Sequence, residues 1–161
     1  MTRIRWWAGM IGILMIAGAL GGCSGGGGGH DDGHGSGVCL LFSEVEPNAT
    51  SLTAQFLGSL FVDDCFIVAG SIFDVTDVDS YEVLVQESLT LVVTLDHSSL
   101  VDFDILLFDA ETGQLIRDCG AGVVPEVCTV SFVVRSRAIA VDVVVVSAVG
   151  AGPYTLTLDA Q

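Results

Sequence analysis

The sequence predicts an all-β, antiparallel sandwich held behind an export signal and a glycine tether. Three observations carry the fold class. Short apolar runs alternate with period two, they are enriched in β-branched residues, and turn signals recur roughly every eight to twelve residues. Helical spacing is absent, apart from room for a single turn near Asn48 to Ala54.

The chain opens with Arg3 and Arg5, then the uncharged apolar run from Trp6 to Leu20, then Leu20-Gly21-Gly22-Cys23. A basic segment, an apolar segment and small residues before the cleavage point form the layout of a secretory signal. The last four residues resemble the lipobox cut by the lipoprotein signal peptidase. That resemblance implies a diacylglycerol thioether on Cys23, cleavage before it and acylation of the new N-terminus. The competing reading is a short transmembrane anchor, but the run falls short of the about 20 residues that span a bilayer. Ser24, in place of an aspartate after the cysteine, favours the outer membrane over the inner. Gly25 to Gly37 then reads as a tether, because glycine runs have no side chains to bury and high chain entropy. Its His30, Asp31, Asp32 and His34 could meet a metal only transiently, and a solvated linker is the better account. The expected organisation is a signal over residues 1–22, a lipidated cysteine and tether over 23–38, and one domain over 39–161.

The strands follow in order. Phe66 to Phe73 is the first clear one. Tyr81 to Gln86 puts Tyr81, Val83 and Val85 on one face, and Leu89 to Leu95 turns Leu89, Leu91, Val93 and Leu95 inward with Thr90 and Thr94 outward. Asp102 to Asp109 opposes Asp102, Asp104, Leu106 and Phe108 to Phe103, Ile105 and Leu107. Gln114 to Asp118, Thr129 to Val134, Ala138 to Ser147 and Tyr154 to Asp159 complete the set. Glu111-Thr112-Gly113 supplies a hairpin turn with glycine at a positive φ. Val143 to Val146 is apolar on both faces, which predicts a central strand buried on both sides. Arg135 and Arg137 precede it as charges that guard a strand end.

Charge and cysteines bound the chemistry. All 20 acidic residues lie after Cys23, against Arg117, Arg135 and Arg137 alone, and the chain has no lysine. Such a surface repels nucleic acid, whose capture rests on Lys and Arg; it suits divalent cations or basic partners. With Cys23 lipidated, Cys39, Cys65, Cys119 and Cys128 remain, and an even count in an exported domain predicts two disulfides. Three pairings are open. Cys39–Cys65 with Cys119–Cys128 is favoured, the second closing a short loop across a hairpin. Zinc finds no CxxC pair or nearby histidine in support.

Five landmarks in order carry a family resemblance: Glu44-Val45-Glu46-Pro47-Asn48, Gly70-Ser71-Ile72, Asp77-Val78-Asp79-Ser80-Tyr81, Val101 to Asp109, and Gly152-Pro153-Tyr154-Thr155-Leu156-Thr157-Leu158. From Ser43 to Gln161 the chain resembles the bacterial pre-peptidase C-terminal domain, a relative of the collagen-binding domains of clostridial collagenases. The resemblance implies an antiparallel jelly-roll-like β-sandwich of about eight strands with no catalytic residues of its own. It also implies a calcium site between the first acidic segment and an aspartate-rich loop. By position that site would draw on Glu44, Glu46, Asn48, Asp77 and Asp79, with Asp74 nearby, and calcium is the one cofactor it suggests. Six to eight hard oxygens are what calcium needs, and two acidic segments can supply them. This chain departs at Ala49, where several relatives carry an aspartate. Asp102 and Asp104 form a weaker second pair, read as hydrogen-bonding groups near a sandwich edge.

An enzyme needs a base, and His97 is the one histidine outside the tether. With Asp96, Ser98 and Ser99 it reads as a polar turn, since triad members meet through the fold and not as sequence neighbours. A hydrolase is therefore disfavoured. Both tryptophans lie in the signal, which removes the usual platforms for sugar stacking. The expected function is a lipid-anchored envelope protein presenting a binding or adhesion module for a protein or extracellular matrix ligand. The alternative is an accessory subunit that docks on an exported protease or envelope complex.

Overall fold

A computed structural model describes residues 38–120, 122 and 124–161. The signal, Cys23 and the glycine tether lie outside the described residues. Ten strands run in order: β1 (Leu40–Ser43), β2 (Gln55–Leu60), β3 (Cys65–Ile72), β4 (Val78–Val85), β5 (Leu89–His97), β6 (Asp102–Asp109), β7 (Leu115–Asp118), β8 (Glu126–Phe132), β9 (Ile139–Val149) and β10 (Gly152–Ala160). They form two five-stranded sheets, β1-β3-β10-β5-β8 and β2-β4-β9-β6-β7. Successive strands mostly switch sheets, so the chain laces one sheet to the other, and the all-β sandwich read from the sequence is the fold.

The period-two pattern decides which side of each strand meets the core. Leu89, Leu91, Val93 and Leu95 of β5 face Phe103, Ile105 and Leu107 of β6 and Val141, Val143 and Val145 of β9 across the interior, all essentially buried. Leu156 and Leu158 of β10 and Val68 of β3 continue the same layer. A one-residue slip in any of these strands would turn its apolar set to water, so register is strongly specified.

Four details differ from the sequence expectation. Among the described residues there are ten strands, against about eight expected, because β1 and β2 are also strands. β1 has only four residues, mostly exposed, and β2 is broken by a bulge between Phe56 and Gly58, so neither shows a clean alternation. The sandwich is not wholly antiparallel: β1 pairs with β3, and β2 with β4, in parallel at one edge of each sheet. A parallel pair needs a crossover, and here the crossover is a strand of the opposite sheet. Cys119–Cys128 does not span a hairpin. Cys119 follows β7 in one sheet and Cys128 lies in β8 of the other, so this bond staples the two sheets, whereas Cys39–Cys65 clamps the starts of β1 and β3 within one sheet. Lastly, β9 is central in its sheet, yet Val144 and Val146 on its outer side are only half-buried.

The β6–β7 hairpin turns where the sequence places it. Asp109 Oδ1 accepts both the amide and the hydroxyl of Thr112 at 2.7 Å, and Gly113 takes φ 68°.

Candidate functional site

The crossover from β1 to β2 carries Glu44, Glu46 and Asn48 from one sheet to the other. Each is tied locally. Glu44 accepts the Ser71 amide at 2.8 Å and the Asn48 side-chain amide at 3.2 Å, and Glu46 accepts the Asn48 backbone amide at 2.9 Å. The Asn48 carbonyl in turn accepts the Ser80 amide of β4 at 3.0 Å. Asp79 precedes Ser80 and occupies the same inward row as Tyr81, Val83 and Val85, which drives a carboxylate into the end of the core with no exposure. One carboxylate oxygen from each of Glu44, Glu46 and Asp79 lies within 4.8 Å of the others.

Two tyrosines link these acids. Tyr154 of β10 places its hydroxyl 2.6 Å from Asp79 Oδ2 and 2.6 Å from the Tyr81 hydroxyl, which stands 3.1 Å from Glu44 Oε1. Two hydroxyl protons thus serve three oxygen–oxygen contacts. Burial, more than any neighbour, raises Asp79 to about 8, and the nearby Glu44 adds to it. Both tyrosines are themselves pushed up by burial.

The donor set fits a hard cation. Asn48 Oδ1 and Asp79 Oδ1 are buried with no hydrogen-bond partner, and a buried oxygen left unpaired is costly. Two oxygens coordinated at about 2.4 Å to one calcium can stand at most ~4.8 Å apart, which the three carboxylates satisfy. Of the residues expected from sequence, Glu44, Glu46, Asn48 and Asp79 come together. Asp74 and Asp77 do not join them. Their oxygens accept the amides of Thr76, Phe73 and Val78 and so shape the turn between β3 and β4.

A second acidic group is assembled by Asp102, Asp104 and Glu126. Burial, then the charges of Asp102 and Asp118, raises Asp104. Glu126 was not visible as a site residue from sequence, although it sits two places before Cys128 in the same inward row. Asp142, fully buried between valines of β9, was missed for a similar reason: a lone acid inside a valine run reads as strand surface. His97 is not in a polar turn. It ends β5, buried against Phe103 with ring centroids 5.1 Å apart, and its Nδ1 lies 3.0 Å from the Ser98 carbonyl. No nucleophile–base–acid relay is present among the described residues.

No family model and no curated protein matches this chain. Solved structures do. The pre-peptidase C-terminal domain of a collagenase from Bacillus anthracis is 12% identical, and the match covers 73% of this chain and 100% of that one, with a TM-score of 0.51. PliG, a periplasmic inhibitor of g-type lysozyme, matches from Aeromonas hydrophila at 15% identity, over 67% of this chain and 97% of that one, TM-score 0.48. The Salmonella Typhimurium PliG matches at 13% identity, over 67% and 100%, TM-score 0.46. The chain has the sandwich fold of the collagenase domain.

Proposed function

We propose that this protein is an exported, lipid-anchored envelope protein whose sandwich is a non-catalytic binding module for a protein ligand, with its β1–β2 crossover fastened by calcium. The observation that carries the reading is the convergence of Glu44, Glu46 and Asp79, with buried oxygens of Asp79 and of the neighbouring Asn48 left without a hydrogen-bond partner. Three acids at one end of the core, with no base among them, lack a counter-charge, and a divalent cation supplies it. Glu44, Glu46, Asn48 and Asp79 would hold the ion. When bound, it would tie the crossover to β4 and order the rim of the domain. The export signal, the lipobox-like Leu20 to Cys23 and four further cysteines support placement outside the cytoplasm, with the outer membrane favoured by Ser24. The fold shared with a collagenase's accessory domain supports a protein or matrix ligand.

Melting of the full chain in detergent, with calcium and with chelator, tests the site. A ligand that binds only the folded state raises the midpoint by mass action. Calcium should therefore raise it, and Glu46→Gln should remove most of the rise. Superimposable curves would eliminate the calcium site. Incorporation of labelled fatty acid, lost in Cys23→Ser, tests the anchor.

A further inference from the structure

The outer face of the second sheet carries a cavity of about 270 Å³ that includes Asp142 and Val144 of β9, Val78 of β4 and Phe108 of β6, with Thr50 and Ser51 at its rim. Asp142 is 2% exposed, and its Oδ1 has no hydrogen-bond partner. It stands directly opposite Glu82 on β4 and Phe108 on β6. Like charges facing each other across two strands are unfavourable. Burial, then the charge of Glu82, raises Asp142 to about 6, and no cation among the described residues offsets the pair. A carboxylate in that position lacks one thing, a positive charge.

The surroundings select its kind. A single carboxylate among Val78, Phe108 and Val144 offers far too few oxygens for calcium, which wants about six to eight. Apolar walls suit a methylene stem that ends in a charge. A guanidinium wants both carboxylate oxygens in an open plane, whereas Oδ1 of Asp142 is enclosed; a compact ammonium needs only a point contact. We propose that this cavity binds a lysine side chain of a partner protein, its ammonium on Asp142 and its stem along Val78, Phe108 and Val144. The chain has no lysine of its own, so a second copy cannot supply the occupant. The strongly acidic surface draws basic partners toward it. The inference rests on the reading of the domain as a protein-binding module, but on none of the residues that would hold calcium.

The test is a titration of the full chain in detergent, followed by amide NMR, with acetyl-Gly-Lys-Gly-amide and its norleucine counterpart. The lysine peptide should shift signals of 49–51, 78–82, 108–113 and 142–144. The norleucine peptide should bind roughly tenfold or more weakly, as should the lysine peptide to Asp142→Asn. Glu82→Gln, at a half-exposed position, should weaken binding several-fold and serves if Asp142→Asn does not fold. Equal binding of the two peptides, signal changes mapping elsewhere, or no loss in either variant would overturn the proposal. A calcium-dependent rise in melting point alongside such a failure would leave the cation reading intact.

Discussion

Gly70 lies directly beneath the ring of Tyr154: a Cβ built on Gly70 would fall 2.4 Å from Tyr154 Cζ and 2.5 Å from its hydroxyl oxygen. The two residues are opposite partners in the β3–β10 ladder, so only a missing side chain lets the ring lie across the strand and reach Asp79. Gly70→Ala should force the ring away, combining overpacking with the loss of buried hydrogen bonds, at a cost of about 2–4 kcal/mol. Urea unfolding measures this. A cost under about 0.5 kcal/mol, the range of an ordinary surface change, would mean that the ring is not held there.

The tyrosine chain should behave as a unit. Tyr154→Phe strips Asp79 Oδ2 of its 2.6 Å contact and should destabilise by about 1–3 kcal/mol, the cost of an unsatisfied buried group. Tyr81→Phe breaks the same chain one link away. The two losses should therefore be non-additive by about 0.5–3 kcal/mol in a double-mutant cycle. Additive losses would show that the hydroxyls act separately.

The interior of this sandwich was legible in the sequence because its alternation is clean. Leu89, Leu91, Val93 and Leu95 point inward as their spacing requires, and so do Phe103, Ile105 and Leu107. The edges were not legible. β1 buries almost nothing, and parallel pairing with β3 is a fact of topology that no local pattern encodes. Within the candidate site, Glu44, Glu46, Asn48 and Asp79 were legible only through the family resemblance, carried over by position. The turn roles of Asp74 and Asp77 needed the backbone amides in view. Asp142 and Glu126 escaped because a buried acid contradicts the pattern by which buried positions are recognised, and only three-dimensional packing reveals it.

The two disulfides should differ in both size and place of effect. Cys39 and Cys65 are 26 residues apart and Cys119 and Cys128 are 9 apart. Loop entropy alone assigns about 3.5 kcal/mol to the longer loop and about 2.6 kcal/mol to the shorter. Paired alanine variants should follow that order in chemical denaturation. Hydrogen exchange should accelerate in β1 when Cys39–Cys65 is removed, and in β7 and β8 when Cys119–Cys128 is removed, because the latter joins the sheets. Faster exchange confined to β1 in both variants would refute the stapling role.

Asp142 should leave a signature in the pH dependence of stability. Its carboxyl is raised from an ordinary 3.8 to about 6, chiefly by burial. A group whose pKa is higher in the folded state favours folding while protonated. That contribution is complete below about pH 4 and declines as the pH climbs through 6, where the buried carboxylate becomes charged beside Glu82. Each tenfold change in acidity is worth about 1.4 kcal/mol, so the decline amounts to roughly 1–3 kcal/mol. Asp142→Asn cannot ionise, so its stability relative to the parent should rise between pH 4 and 7 and level off above. Taking the difference between the two proteins cancels the other acids that titrate in the same range. A difference that stays flat across this interval would show that Asp142 ionises as freely in the folded chain as in the unfolded one. The enclosed, uncompensated charge at the base of the cavity would then be excluded.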